Sequence, residues 1–224
     1  MHHRAPRPMS GSKKPKVTTT AFRWWLIGLC LAALVAGALT RGWWLTFIGH
    51  SLVCGGDIAS ADAILVENFD PDYRLFERAA ELERNGWSTR TLVPTRTASS
   101  DSDEANPISR SVAEVMARFA RVSNLEIVPI REIEPYSLNA ATQIRDFLAR
   151  EHVRSILLVS PAFRSRRSAL VYRAILSPAG IRVHCVPTFG QYTPENWTTS
   201  WHGIQGVTEQ FIKLQYYRFF VVVR

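Results

Sequence analysis

The stretch that decides the fold is "SILLVSPAFRSRRSALVYRAIL", residues Ser155 to Leu176. Ile156 to Ser160 are apolar or small, as in a buried strand, and a helical spacing of apolar residues follows over 165–180. A buried strand that leads directly into a helix is the repeating unit of α/β proteins. This stretch therefore predicts one β–α unit of such a fold.

Three arginines, Arg164, Arg166 and Arg167, stand where this strand gives way to the helix. Backbone N–H groups and the helix dipole favour negative charge at a helix N-terminus. Arg164 and Arg167 are three positions apart, so they share a helix face and are placed to clamp a phosphate or carboxylate, with Ser160 beside them. The alternative is a solvated basic first turn, since arginine is also the main surface cation of this domain.

The same alternation of strand and helix covers most of the chain. Helical patterns are predicted at 72–86, 109–122, 137–152, 165–180 and about 204–219, with strands at 62–68, 89–94, 125–130, 155–160 and 181–187. Five β–α units of this length predict an α/β fold, a Rossmann-like three-layer α/β/α sandwich with a mostly parallel sheet. Ligands of such folds bind outside the carboxyl ends of the strands.

Three polar residues follow the first strand: Glu67, Asn68 and Asp70. We interpret them as ligand-binding candidates, although the glycine-rich fingerprint of dinucleotide-binding folds is absent here. Two alternatives stay open. Glu67 and Asp70 are suited to a divalent cation, which prefers carboxylate oxygens, or the segment is an Asp-Pro turn before a capped helix.

The loop after the third strand brings Glu134, Ser137 and Asn139. Ser137 is predicted to cap its helix, as Ser109 is predicted to cap the preceding one. Capping by Ser137 does not account for Glu134, which is therefore a candidate catalytic acid or base, or a ligand acceptor. Ser137 and Asn139 are further candidates for ligand contact.

Aromatic residues follow the fifth strand, where Trp197 and Trp201 stand near His202. Trp197 and His202 are candidates for the wall of a sugar or lipid site, and the alternative is that the tryptophans pack the last helix against the sheet. No common catalytic motif occurs, and the sequence indicates no particular cofactor or metal.

An uncharged segment of seventeen residues runs from Trp24 to Thr40, with tryptophan pairs near both ends. It predicts one N-terminal transmembrane helix over 22–41, through which the chain contacts the lipid bilayer. Cations on its N-terminal side predict a single-pass protein of the inner (cytoplasmic) membrane with a cytoplasmic N-terminus and an extracytoplasmic domain. The alternative is a cleaved signal peptide with its site at Ala36-Gly37-Ala38.

The positive charge of the chain is concentrated near its N-terminus. Residues 1–41 contain seven cations and no acid, so the other 20 of the 27 cations face all 19 acids, a net charge of +1. We therefore exclude a nucleic-acid partner, which the overall charge of +8 alone would suggest. The predicted organisation is a disordered basic tail over 1–21, the span over 22–41, a connector over 42–57 and an α/β domain over 58–224.

Three cysteines are few for an extracytoplasmic domain. Cys30 lies within the predicted span, Cys54 lies in the connector and Cys185 lies in the fifth strand. A disulfide between Cys54 and Cys185 is an alternative, but we favour Cys185 as a plain buried strand residue.

Taken in order, these segments resemble the SanA/YdcF/ElyC family of bacterial envelope-associated domains of unknown function, over about residues 60–217. Two of the matching segments keep candidate site residues, namely Glu134, Ser137 and Asn139 in one and Arg167 in the other. The matching segments are "ADAILV", "YRLFERAAELERNG", "EPYSLNAATQ", "LLVSPAFRSRRSA" and "NWTTSWHGIQGVTEQFIKLQYY".

The chain departs from the family at several positions, among them Ala140, Thr142 and Gln143, which stand where the family has a Thr, a Glu and an Asn. Glu67-Asn68-Phe69-Asp70 replaces a glycine-rich turn, and Arg164 occupies a histidine position. A guanidinium does not release a proton near neutral pH, so an acid–base role of that histidine does not carry over, whereas anion binding does. The resemblance implies a membrane-anchored envelope protein linked to cell-wall construction. Our leading hypothesis is that its domain binds a phosphorylated lipid-carrier or cell-wall (peptidoglycan) intermediate between Arg164, Arg167 and Glu134.

Two other functions stay open. One is a hydrolase or transferase in which Glu134 is the base and a metal is held by Glu67 and Asp70. The other is a non-catalytic scaffold that contacts an envelope protein partner through Trp197, Trp201 and the apolar C-terminus.

Overall fold

A computed structural model describes residues 19–56, 58–99 and 102–221 of the chain. The chain divides into two compact units, residues 1–44 and 45–224. Most of the predicted disordered tail, residues 1–18, lies outside the described residues.

The first unit contains helix α1, Thr19–Leu39, and the first residues of helix α2, Arg41–Leu52. Phe22–Leu39 has a mean hydropathy of 1.8 over 18 residues, so α1 is long and apolar enough to cross a bilayer. The helix ends at Leu39, and the hydroxyl of the next residue, Thr40, donates to the Ala36 carbonyl oxygen at 2.8 Å. The region predicted as a plain connector therefore begins with a second helix.

The second unit is built on a parallel sheet of five strands in the order β3-β2-β1-β4-β5. The strands are β1 Ala63–Val66, β2 Thr91–Arg96, β3 Leu125–Ile130, β4 Ser155–Pro161 and β5 Arg182–Thr188. The helices between and after them are α3 Tyr73–Arg84, α4 Pro107–Ala120, α5 Tyr136–Arg150, α6 Ala162–Leu176 and α7 Trp201–Tyr216. A π-helical turn, Tyr217–Val221, continues α7. The α/β class and the parallel sheet agree with the sequence-based prediction.

Helices cover both faces of the sheet. On one face Ile64 and Val66 of β1 pack with residues of α3 and α4, and on the other Ala63 and Leu65 pack with residues of α5 and α6. All four residues of β1 are fully buried because successive side chains of a strand point to opposite, covered faces. This burial explains the unbroken apolar run of the strand.

The helix caps differ from those that we predicted. α4 begins at Pro107, ahead of the predicted cap at Ser109, because Asn106 accepts the backbone N–H groups of Ile108 and Ser109 and Pro107 occupies the first turn. Ser137 lies inside α5 rather than at its cap. Both serine caps were therefore wrong predictions.

The predicted unpaired state of Cys185 is also wrong, because Cys185 forms a disulfide with Cys54. The Cys54 backbone N–H donates to the Ser165 hydroxyl of α6 at 2.9 Å, and both cysteines are buried. Arg166 also donates to the Val53 carbonyl oxygen at 2.8 Å. The end of the connector is thus attached to both α6 and β5.

We expect removal of this disulfide to destabilise the domain. The bond closes a loop across 131 residues of sequence, so its loss increases the entropy of the unfolded chain and should lower the free energy of unfolding by roughly 2–4 kcal/mol. Urea unfolding of the full chain in neutral detergent, for wild type and Cys54→Ser/Cys185→Ser, measures this. Cys30→Ser is the matched control, and equal midpoints for all three proteins would contradict the expectation.

Candidate functional site

The candidate site lies at the carboxyl ends of the strands, where the strand order reverses between β1 and β4. Glu67 and Asn68 directly follow β1, and Ser160 ends the buried part of β4 just before α6 begins at Ala162. The polar residues predicted after these two strands therefore meet at one edge because the two strands are parallel neighbours.

A buried carboxylate stands at the centre of this edge. Glu67 is 1% exposed and accepts a hydrogen bond of 2.6 Å from the Ser168 hydroxyl of α6. Burial raises the pKa of Glu67 above its ordinary value, although the positive charges of Arg164 and Arg167 oppose that shift. Arg164, Arg167 and Ser168 are three and four positions apart on α6, which brings all three to the helix face nearest β1.

Arg164 is held by a carboxylate and keeps one donor free. Its Nη2 donates to Oδ2 of Asp70 at 2.6 Å, and its buried Nη1 has no hydrogen-bond partner among the described residues. Burial alone would lower the pKa of Arg164, but the charges of Glu67 and Asp70 outweigh burial and raise it. The guanidinium is therefore charged and only partly satisfied.

Arg167 is more deeply buried, with 5% of its surface exposed. It donates to the Ser137 hydroxyl at 3.2 Å and to the Gln210 side-chain oxygen at 3.3 Å, while its buried Nε finds no partner in the part of the chain that the structure describes. The Tyr217 ring lies 5.2 Å from the guanidinium carbon, a cation–π contact. Burial lowers the pKa of Arg167, but a guanidinium stays protonated in proteins.

Several further polar atoms at this edge of the sheet are buried and have no hydrogen-bond partner within residues 19–56, 58–99 and 102–221. Buried polar groups in native proteins are nearly all hydrogen-bonded, so a group of unpaired ones indicates a place for water or a polar ligand. The unpaired atoms on the strands and the loop after β1 are Asn68 Oδ1, Thr95 Oγ1, Ser160 Oγ and Thr188 Oγ1.

A cleft of about 330 Å³ opens beside Asn68 and Thr95, between the ends of β1 and β2. Asn68, Asp70 and Thr95 line it together with Arg96 and Tyr136. Burial raises the pKa of Tyr136 to about 12, so its phenol is protonated at neutral pH and available as a hydrogen-bond donor. The cleft therefore combines apolar walls with groups that can bind a polar ligand.

The structure connects five of the residues that the sequence singled out. Glu67, Asp70, Ser137, Arg164 and Arg167 belong to one set of hydrogen bonds and charge contacts. Asn68 and Ser160 lie at the same edge with unpaired oxygens.

Glu134 and Asn139 serve the start of α5. The exposed Glu134 carboxylate accepts the Tyr136 backbone N–H at 3.1 Å, and the Asn139 side chain donates to the Pro135 carbonyl oxygen at 3.4 Å. Capping therefore does account for Glu134, contrary to our expectation, and the proposed catalytic role of Glu134 stays a prediction.

The two aromatic-loop candidates lie elsewhere in the domain. Trp197 is buried with Leu52, Val207 and Leu214, and its indole N–H donates to the Leu45 carbonyl oxygen at 3.2 Å. This packing favours the alternative in which Trp197 holds the last helix in place. His202 is exposed in the first turn of α7.

Sequence reasoning missed several residues of the site. Ser168 follows Arg164 by four positions, so the helical spacing that paired Arg164 with Arg167 also indicated Ser168. Gln210 and Tyr217 lie more than 40 positions beyond Arg167, and no local pattern marks them.

A metal site is not favoured by the part of the chain that the structure describes. In those residues no three histidine, cysteine, aspartate or glutamate side chains are grouped as metal ligands. Glu67 bonds to Ser168 and Asp70 bonds to Arg164, so each predicted ligand has a protein partner.

A comparison of the chain with protein-family models, curated proteins and solved structures finds no match. The resemblance to the SanA/YdcF/ElyC family therefore stays a prediction.

We expect Glu67 to make the stability of the domain fall with rising pH. Its pKa in the folded state is raised, so its contribution to the free energy of unfolding is full below its ordinary value of 4.5 and is lost as pH rises through the raised value. Glu67→Gln removes this titration and should flatten the fall. The free energy of unfolding is measured with urea from below pH 4.5 upward, with the exposed Glu77→Gln as control. Parallel plots of this free energy against pH for wild type and Glu67→Gln would refute the expectation.

Proposed function

We propose that the α/β domain binds an anionic ligand, a phosphate ester in the leading form of the hypothesis, at the carboxyl edge of its sheet. The observation that carries the proposal is the pair of buried arginines whose donors are not all used, Nη1 of Arg164 and Nε of Arg167. Buried guanidinium donors without partners are costly, and an anion that accepts from both would remove that cost.

The ion pair of Arg164 supports the same proposal. Its partner Asp70 is 79% exposed, whereas the Arg164 side chain is 14% exposed. An exposed carboxylate regains its hydration when it turns to solvent, and a ligand anion bound to Arg164 would replace the ion pair that is lost. We infer that Asp70 occupies the position of the ligand anion and is displaced when the ligand binds.

The neighbouring cleft offers space for the rest of the ligand. Asp70 both bonds Arg164 and lines the cleft of about 330 Å³, so a bound phosphate at Arg164 would have the cleft beside it. This volume falls at the low end of small-molecule sites, which span about 300–1,000 Å³. Asn68, Arg96 and Tyr136 would then contact the organic part of the ligand.

The proposed setting is the cell envelope. α1 is apolar enough to cross a bilayer, the N-terminal cations favour a cytoplasmic N-terminus, and the Cys54–Cys185 disulfide is of a kind that persists in oxidising compartments. These features support a Rossmann-like domain held outside the inner membrane by a single span. Together with the family resemblance, they favour a phosphorylated lipid-carrier or cell-wall intermediate as the ligand.

The other two functions lack comparable support among the described residues. The enzyme hypothesis needs Glu134 as a base, and this carboxylate is exposed and caps α5. The scaffold hypothesis needs Trp197 at a surface, and Trp197 is buried. Trp201 is 71% exposed and remains the strongest residue of that hypothesis.

We expect the two arginines to be required for anion binding. The unfolding temperature of the full chain in neutral detergent should rise when phosphate, pyrophosphate or a short-chain polyprenyl phosphate is added. A ligand at 100 times its dissociation constant is expected to stabilise the folded chain by about 2.7 kcal/mol. The shift should vanish in Arg164→Ala/Arg167→Ala and persist in the exposed control pair Arg84→Ala/Arg118→Ala.

If the double variant does not fold, Arg164→Gln alone is used in its place. Among the described residues the Arg164 side chain hydrogen-bonds only to the exposed Asp70, so we expect this variant to fold. Equal shifts in wild type and in folded Arg164→Gln would overturn the role assigned to Arg164.

We expect Asp70→Asn to strengthen anion binding. The substitution removes the negative charge that competes for Arg164, so the dissociation constant of phosphate or pyrophosphate should fall by about two- to fivefold, the equivalent of one exposed ion pair. Titration calorimetry measures this, with Glu77→Gln as the matched loss of one exposed negative charge. Unchanged or weaker binding in Asp70→Asn would show that Asp70 does not occupy the position of the ligand.

A further inference from the structure

A second groove, of about 480 Å³, lies between α6, the end of α7 and the end of the connector. Arginines supply its charged lining, Arg166 and Arg173 from α6 and Arg218 from the π-helical turn. Its remaining walls are largely apolar, formed by Cys54, Gly55, Ala169, Leu170, Ala174 and Leu214. No acidic residue is among the described residues that line it.

This groove is separate from the candidate site at the edge of the sheet. Arg167 and Ser168 are buried at that edge, whereas Arg166 and Arg173 are exposed. Arg166 and Arg173 are seven positions apart, which is two helical turns, so they lie on one face of α6. The helix therefore presents one basic face to the sheet edge and another to this groove.

The arginines of the groove have no acidic partner among the residues that the structure describes. Arg166 donates to the Val53 carbonyl oxygen at 2.8 Å and Arg173 donates to the Val183 carbonyl oxygen at 3.4 Å, so uncharged oxygens orient both guanidiniums. Arg218 lies over the Phe219 ring, with its guanidinium carbon 5.8 Å from the centroid. None of the three takes part in an ion pair between residues that the structure describes.

We propose that this groove binds the headgroup of an anionic phospholipid. Three uncompensated guanidiniums match the phosphate of such a headgroup, and Leu170 and Leu214 match its glycerol and first acyl carbons. The groove thus fits an amphiphile better than a free anion, because six of the nine described residues that line it are apolar or small.

The chain next to the groove has the composition of a membrane-surface segment. Phe219 and Phe220 follow Arg218 and are 62% and 63% exposed, and aromatic residues beside cations are typical of the lipid–water interface. In addition, 14 residues separate Leu39 at the end of α1 from Cys54 in the groove wall. The groove therefore lies close in sequence to the helix that is apolar enough to cross a bilayer.

The experiment titrates the full chain in neutral detergent with dihexanoyl phosphatidylglycerol, and in separate arms with dihexanoyl phosphatidylcholine and inorganic phosphate. Binding is followed by hydrogen exchange of the amides in 166–174 and 214–218. We expect protection of these segments by the anionic lipid and little or none in the other two arms. Arg166→Gln/Arg173→Gln/Arg218→Gln should weaken binding of the anionic lipid by about fivefold for each arginine removed.

Three variants complete the test. Arg84→Gln/Arg118→Gln/Arg150→Gln removes the same charge from exposed positions elsewhere and should leave binding unchanged. Arg218→Gln alone should weaken binding of the anionic lipid about fivefold. This single variant replaces the triple variant if the latter does not fold, because it leaves the hydrogen bonds of Arg166 and Arg173 to backbone carbonyl oxygens in place. Arg164→Ala should have no effect, which separates this inference from the proposed anion site.

Equal binding of the anionic lipid to wild type and to folded variants of the groove would overturn the proposal. Equal protection by phosphatidylcholine would also overturn it, because the groove would then not select for negative charge. Equal protection by inorganic phosphate alone would do the same, because the groove would then not select for a lipid.

Discussion

The burial of two guanidinium groups beside one carboxylate, where β1 meets α6, is the constraint on which the rest of this site depends. Folding removes the charged groups of Arg164, Arg167 and Glu67 from water. Each of them must therefore find a partner in the protein or change its protonation state. Glu67 is satisfied by Ser168, Arg167 by Ser137 and Gln210, and Arg164 by Asp70. These partners come from α5, α6, α7 and the loop after β1, so the charged cluster ties four elements to one edge of the sheet.

The cluster is incomplete in a particular way. Its carboxylate is fully buried and hydrogen-bonded, whereas one donor on each arginine is not used. A structural ion pair alone would be expected to satisfy both sides, because an unpaired buried donor costs about as much as the bond that it fails to make. Within the charged cluster, the groups that lack a partner among the described residues are N–H donors of the two arginines. The oxygens of Asn68 and Ser160, at the same edge of the sheet, also lack one. That imbalance is the physical reason for proposing an anion rather than a cation as the ligand of this site.

The two basic faces of α6 have different characters. The face toward the sheet holds Arg164 and Arg167 among polar groups and a carboxylate, and it suits a compact anion held by directed hydrogen bonds. The other face holds Arg166 and Arg173 among apolar side chains and near exposed phenylalanines, and it suits the boundary between lipid and water. The arginines that stood out as one cluster in the sequence are thus divided between two surfaces.

Local patterns in the sequence determined the elements and their order. An α/β domain behind an apolar helix is predicted by three patterns: the apolar runs of the five strands, the spacing of the helices between them and the uncharged segment before them. Both ends of every predicted strand lie within two residues of the observed ends. These features depend on the burial of residues near one another in the chain, which is why periodicity reports them. The positions of Glu67, Asp70, Arg164 and Arg167 after neighbouring strands followed from the same logic.

Only the tertiary structure decided which of these residues meet. Ser137 was expected to cap its helix, but the side chain of Arg167, thirty positions later, uses its hydroxyl, and Glu134 takes over the cap. Cys54 and Cys185 are 131 positions apart, and packing of the connector on α6 and β5 brings their Cα atoms to 6.4 Å. Gln210, Tyr217 and Trp197 likewise depend on where α7 lies. Such contacts join distant parts of the chain through packing, and no local pattern encodes the distance between them.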